Sequence, residues 1–222
     1  MAGDWQSVSR LDLPYKNLVI SGFLGVGKST VGRRIARVLE LDLLDVDEEI
    51  ELQELMSIAK IRELYGDSRL KTLEHEQCRT AALMRRAVIV VPGAALLDER
   101  NASILSQSGL IVVLTCELGE ALRRMHQGSE QHYRDKIIRR RMLSRLRREY
   151  AVVEDPGLLQ LDTTHLSIEE EAQILVDTWL TGEPLSEHFR YGPPPRITPP
   201  KKPPIGLSAR MTPKPSESLE PD

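Results

Sequence analysis

Cysteine is scarce: Cys78 and Cys116 are the only two in 222 residues. Their separation forms no metal-ligand spacing and no disulfide framework. Reduced, buried thiols in a cytoplasmic protein are therefore expected. Long apolar runs are missing too. The longest, residues 87–91 and 110–114, fall far short of the roughly 18 residues of a membrane helix. Residues 1–16 lack an apolar stretch behind a basic one, so no secretory signal is expected. There is no internal repeat. Excess positive charge is absent as well. The 30 basic and 33 acidic residues divide into 24 and 28 up to Leu180 and 6 and 5 after it. A mildly acidic body argues against general nucleic-acid binding.

Hydrophobic residues make up 41% of the chain, enough for a core but below the usual globular share. Proline explains the shortfall, because 11 of the 14 prolines follow Leu180. Two regions result: a folded body over 1–180 and a Pro-rich tail over 181–222. Proline removes backbone donors and restricts φ, so the tail is expected to be extended or disordered. It is either a solvated extension or a docking segment for a partner that the sequence does not name.

The body alternates short apolar runs with longer amphipathic ones. Residues 17–21, 43–45, 87–91, 110–115 and 158–161 read as strands. Residues 29–39, 48–59, 70–84, 117–126, 135–150 and 167–180 read as helices. Ser167 followed by Glu170 fits a capping box. Strands apolar on both faces and separated by helices predict an α/β fold with a parallel sheet covered on both sides. Ligands bind such sheets at the carboxyl ends of the strands.

Gly22-Phe-Leu-Gly-Val-Gly-Lys-Ser-Thr30 follows the first strand and opens the first helix. It matches the phosphate-binding pattern G-x-x-x-x-G-K-[ST] in the required setting. Glycines allow backbone N–H groups to point inward around phosphate oxygens, and the helix contributes its positive end. Lys28 would reach the β- and γ-phosphates, and Ser29 would offer its hydroxyl to Mg²⁺. The chain has no N/T-K-x-D guanine element, and its third strand ends in Pro92-Gly93 rather than in acid. Small kinases, which deliver the γ-phosphate to a bound acceptor, are left.

Leu44-Asp-Val-Asp-Glu-Glu-Ile50 ends the second strand in two carboxylates two residues apart. At strand spacing Asp45 and Asp47 would face the same side. One could hold water on Mg²⁺ while the other accepts a hydroxyl proton. The plainer reading is an acidic first turn for the helix near Glu48.

The order of the phosphate loop, D-V-D-E-E-I-E, S-I-A-x-I, Gly66-Asp67, Leu70-Lys71 and Glu74 resembles the shikimate kinase family, with similarity over about residues 18–179. That family phosphorylates the 3-hydroxyl of shikimate with ATP and Mg²⁺ in aromatic amino-acid synthesis. The resemblance implies a P-loop kinase fold: a five-stranded parallel sheet of order 2-3-1-4-5, helices on both faces, and a lid. It implies ATP binding by Gly25, Val26, Gly27, Lys28, Ser29 and Thr30, and Mg²⁺ support by Ser29 and Asp45. It makes Asp47 the general base and a substrate contact, with Lys28 and Arg134 meeting the transferring phosphoryl group. Arg124 matches an arginine just before the lid. Lys71, Gly93 and either Arg145 or Arg147, near Tyr150, would hold the acceptor. A cytoplasmic monomer using ATP and a small acceptor is expected, without nucleic acid or membrane.

Three departures stand out. Lys71 replaces an arginine of the family, keeping charge but losing the planar fork. Pro92-Gly93-Ala94 replaces a glycine triplet, removing one N–H donor and adding a methyl. The lid's usual Arg-Pro-Leu is missing. Residues 134–148 carry eight basic residues and one acid. A kinase lid needs such charge over phosphates. The alternatives are an RNA or other polyanion site, or a solvated face, the reading taken for Arg139, Arg140 and Arg148. His126 and His132 are expected to be solvated. Two other functions stay open: a kinase for gluconate or a nucleoside, and a non-catalytic ATP-binding protein signalling through the tail.

Overall fold

Residues 17–22 carry no charged side chain and are buried throughout, as a central strand of a covered sheet requires. A computed structural model describes residues 5–128, 136–184 and 186–191, with side-chain placement given outside 127–139. The strands are β1 (Asn17–Gly22), β2 (Leu43–Asp45), β3 (Val88–Val90), β4 (Gly109–Thr115), β5 (Leu159–Asp162) and β6 (Phe189–Tyr191). Their order is β2-β3-β1-β4-β5-β6. The first five are parallel, in the expected order.

The sheet has six strands rather than five, because β6 pairs antiparallel with β5. β6 also lies beyond the expected body boundary at residue 180. Arg190 holds it there: its guanidinium donates to Thr115 Oγ1 at 2.9 Å and lies 3.4 Å from Asp162. A three-residue edge strand among prolines carries too little apolar pattern to be read locally. The remainder of the Pro-rich tail, residues 192–222, lies outside the described residues.

The helices are α1 (Lys28–Val38), α2 (Val46–Glu54), α3 (Ile58–Leu83), α4 (Gly93–Leu96), α5 (Glu99–Ser108), α6 (Leu118–Gly128), α7 (Lys136–Tyr150) and α8 (Ile168–Thr181). From β1 the chain crosses outward to β2, then returns past β1 to β4 and β5. Right-handed crossovers in opposite directions place helices on both faces. Accordingly α1 packs against α8, and α3 against α5. The capping box of Ser167 and Glu170 opens α8 as expected.

The helix expected over 48–59 is broken. α2 stops at Glu54, Leu55 adopts φ 52°, and Ser57 caps α3 by accepting from the Lys60 amide. α3 is itself kinked at Gly66, with φ 78° and ψ 177°. The kink separates its first turns, carrying Ile58 and Arg62, from its second half, carrying Lys71 and Glu74. Cys78 and Cys116 are both free and buried, and burial pushes each thiol up to about 12. Neither is a poised nucleophile. Among the described residues no helix is long and apolar enough to cross a membrane.

Candidate functional site

The loop joining β1 to α1 is shaped by its glycines. Gly27 sits at the N-cap of α1 with φ 106° and no side-chain cap, so the first-turn amides are not taken by a side chain. A positive φ of that size is costly for any residue with a Cβ. Gly25, Gly27, Lys28, Ser29 and Thr30 all line one cleft of about 600 Å³, while Val26 is buried beneath it. Under the loop, Phe23 packs on Tyr150 of α7, ring centroids 5.1 Å apart. This contact brings the basic helix α7 onto the phosphate loop.

Asp45 and Asp47 line the same cleft, but not by strand alternation. Asp45 ends β2 and caps α2, accepting from the Asp47 amide at 3.2 Å, so Asp47 lies in the helix's first turn. The other Asp45 oxygen accepts from Ser29 Oγ at 2.6 Å. Ser29 and Asp45 thus form an oxygen pair beside the loop. Among the described residues no group of three or more His, Cys, Asp or Glu could hold a metal. Mg²⁺ does not need one, since it keeps waters and takes phosphate oxygens. A hydroxyl and a carboxylate at this spacing fit that donor set.

A line of alternating charge crosses the cleft. Lys28 Nζ donates to the Phe23 carbonyl at 3.0 Å and lies 3.9 Å from Glu149 Oε2. Glu149 Oε1 accepts from Arg145 Nε at 2.5 Å, and the other arm of Arg145 pairs with Asp47. Burial pulls the Lys28 amine below the usual lysine range, with Glu149 opposing. Burial works to lower Arg145 too, but Asp47 and Glu149 more than offset it and leave its pKa raised. Glu149 is 2% exposed. Its signal in the sequence was the i,i+4 spacing from Arg145 on one helix.

Two further buried carboxyls stand near. Glu74 of α3 is pushed up to about 7, first by burial and next by the charge of Asp47. Glu171 of α8 is also raised to about 7 by burial, with Arg124 opposing. Arg124 joins the loop to the far end of the cleft. Its guanidinium donates to the Val26 carbonyl at 2.8 Å and the Thr163 carbonyl at 2.7 Å, and pairs with Glu120.

The acceptor residues expected from the sequence divide. Arg145 reaches Asp47, whereas Arg147 is exposed. Lys71 is exposed and is not among the residues lining the two clefts described here. Gly93 is buried as backbone packing: a Cβ there would lie 2.6 Å from the Glu149 carbonyl oxygen. Pro92 lines the cleft beside it. Arg148, expected to be solvated, is half-buried in a second cleft, while Arg140 is exposed as expected. Arg134, Arg139 and His132 lie outside the residues with described side chains. His126 is exposed, as expected, and has an interaction partner.

Known proteins resemble this chain in sequence and in fold. The family profile described as "Shikimate kinase" matches residues 24–179. A curated shikimate kinase of Thermodesulfovibrio yellowstonii is 30% identical over 175 residues, 78% of this chain and 91% of that protein. The solved shikimate kinase from Acinetobacter baumannii, in complex with shikimate, superposes with a TM-score of 0.65 at 24% identity, covering 79% of this chain and 99% of that one. A gluconokinase structure from Sinorhizobium meliloti has a TM-score of 0.51 at 19% identity, covering 76% and 93%. At those identities the two structures speak to the fold alone.

Proposed function

Because this chain belongs to the shikimate kinase family, and is a phosphotransferase with an alcohol as acceptor, we propose that it transfers the γ-phosphoryl group of ATP to the 3-hydroxyl of shikimate. The observation that carries this reading is the convergence of Lys28, the Ser29–Asp45 pair and the Asp47–Arg145 pair on one cleft.

The roles follow from position. The amides and glycines of residues 25–30 cradle the phosphates, and Lys28 meets the β- and γ-oxygens. Ser29 and Asp45 would hold Mg²⁺, which when bound supplies neutralising charge on those oxygens. Asp47 accepts the proton of the attacking hydroxyl. Arg145 keeps the Asp47 carboxylate turned into the cleft and adds positive charge beside the transferring group. Arg134 is assigned to the same charge on sequence grounds. The acting unit is taken to be a cytoplasmic monomer.

ADP release measured with shikimate, gluconate and nucleoside monophosphates tests the reading. Shikimate-dependent release is expected. Release with gluconate alone would transfer the assignment to that acceptor. ATP binding without turnover on any of them would make the chain a binding protein.

A further inference from the structure

A second cleft of about 530 Å³ opens between α3 and α7, and Leu24 and Arg145 line both clefts. It therefore continues from the place where phosphoryl transfer would occur. Its wall is apolar at Leu24, Ile58 and Met142, cationic at Arg62, Arg145 and Arg148, and holds one acid, Glu63, which pairs with Arg141. Arg62 and Arg148 come from facing helices and converge on one carboxylate oxygen. Arg62 Nε lies 2.6 Å, and Arg148 NH1 3.2 Å, from Asp67 Oδ1. Asp67 itself is largely exposed, at 61%.

Two guanidiniums sharing one solvated carboxylate leave positive charge unbalanced against an apolar wall. Burial and the neighbouring Arg62 charge both lower the Arg148 pKa below the ordinary arginine value. Such a pair is stabilised by a further anion, and guanidinium forks suit a planar carboxylate. Lys71, the residue that sequence comparison would assign to this task, is exposed beyond the Gly66 kink.

We propose that Arg62 and Arg148 form the clamp for the acceptor's carboxylate in this chain, in place of Lys71. The proposal rests on the reading of the adjoining cleft as the phosphoryl-transfer site. The acceptor would lie with its hydroxyl toward Asp47 and its carboxylate in the second cleft, its ring against Ile58 and Leu24. Arg62 and Arg148 then set specificity for an acidic acceptor and act on binding rather than on the chemical step.

The test is steady-state kinetics of the full chain with shikimate and with its neutral carboxamide. R62Q and R148Q should each raise the KM for shikimate roughly ten- to a hundredfold, the loss of one charge-assisted contact. The KM for ATP should change by less than about threefold, which also reports that the variants are folded. The carboxamide, lacking the anion, should respond to neither substitution. K71Q should behave as the unmodified chain. If K71Q costs the affinity while R62Q and R148Q do not, or if the carboxamide suffers equally, the clamp is overturned and the kinase reading stands. If the unmodified chain fails to turn over shikimate at all, the substrate reading falls and this proposal falls with it.

Discussion

Lys28 Nζ lies 3.9 Å from Glu149 Oε2, and that oxygen has no hydrogen-bond partner among the described residues. The phosphate-loop lysine thus faces a buried carboxylate. Glu149 offsets the cost of burying Lys28, yet it repels the polyanion that Lys28 binds. E149Q should bind ATP more tightly by roughly tenfold, about 1.4 kcal/mol. Calorimetry measures this directly. Weaker binding would mean that Glu149 chiefly holds Lys28 in place.

The Asp47 carboxylate pairs with Arg145. D47N should therefore lower turnover by about 10²- to 10⁴-fold, the usual share of a general base. Affinity for ATP should stay within about threefold. Parallel loss of ATP affinity would show that Asp47 acts on the nucleotide instead.

Glu74 makes stability depend on pH. Its carboxyl is raised from 4.5 to about 7 by burial and by Asp47. The folded state therefore favours the protonated form. The stability this contributes is full below pH 4.5 and is lost as pH rises through about 7. E74Q keeps a neutral side chain throughout, so its advantage over the unmodified chain should grow across that window, to no more than about 3 kcal/mol. Urea unfolding of both proteins at pH 4.5 and pH 8 measures it. Glu171 titrates in the same range, so only the difference between the two proteins isolates Glu74. A constant difference would reject the assignment.

Gly93 is closed in by backbone. A Cβ would meet the Glu149 carbonyl oxygen at 2.6 Å and the Gly22 carbonyl oxygen at 3.1 Å. G93A should cost about 1–3 kcal/mol of stability, as overpacking does. It should also displace Glu149 and Arg145, so turnover should fall further than the loss of folded protein explains. Thermal melts beside kinetics at a permissive temperature separate the two effects.

Much of the fold was legible in the amino-acid order. The phosphate loop, the Ser167–Glu170 cap and the alternation of strands with helices are local patterns. Each is determined by backbone sterics and hydrogen bonds within a few residues. Residues 22–30 and the Asp45–Asp47 turn were found this way, although Asp47 reaches the cleft by helix capping rather than strand spacing. The strand order came from likeness to a family, since local pattern does not encode it.

The ion pairs of the cleft were not legible. Arg145 and Asp47 are 98 positions apart, and only Glu149, four residues after Arg145, distinguished it from Arg147 in the sequence. The tertiary structure separated them because α7 packs through Phe23 and Tyr150 against the phosphate loop, turning Arg145 inward and Arg147 to solvent. Likewise, on the two sides of the Gly66 kink, Arg62 lines the second cleft and Lys71 does not. The sequence by itself determined which chemistry is present, because phosphate binding is built from one contiguous loop. Only packing decided which charges meet, because a charge acts over a few ångströms of space and not along the chain.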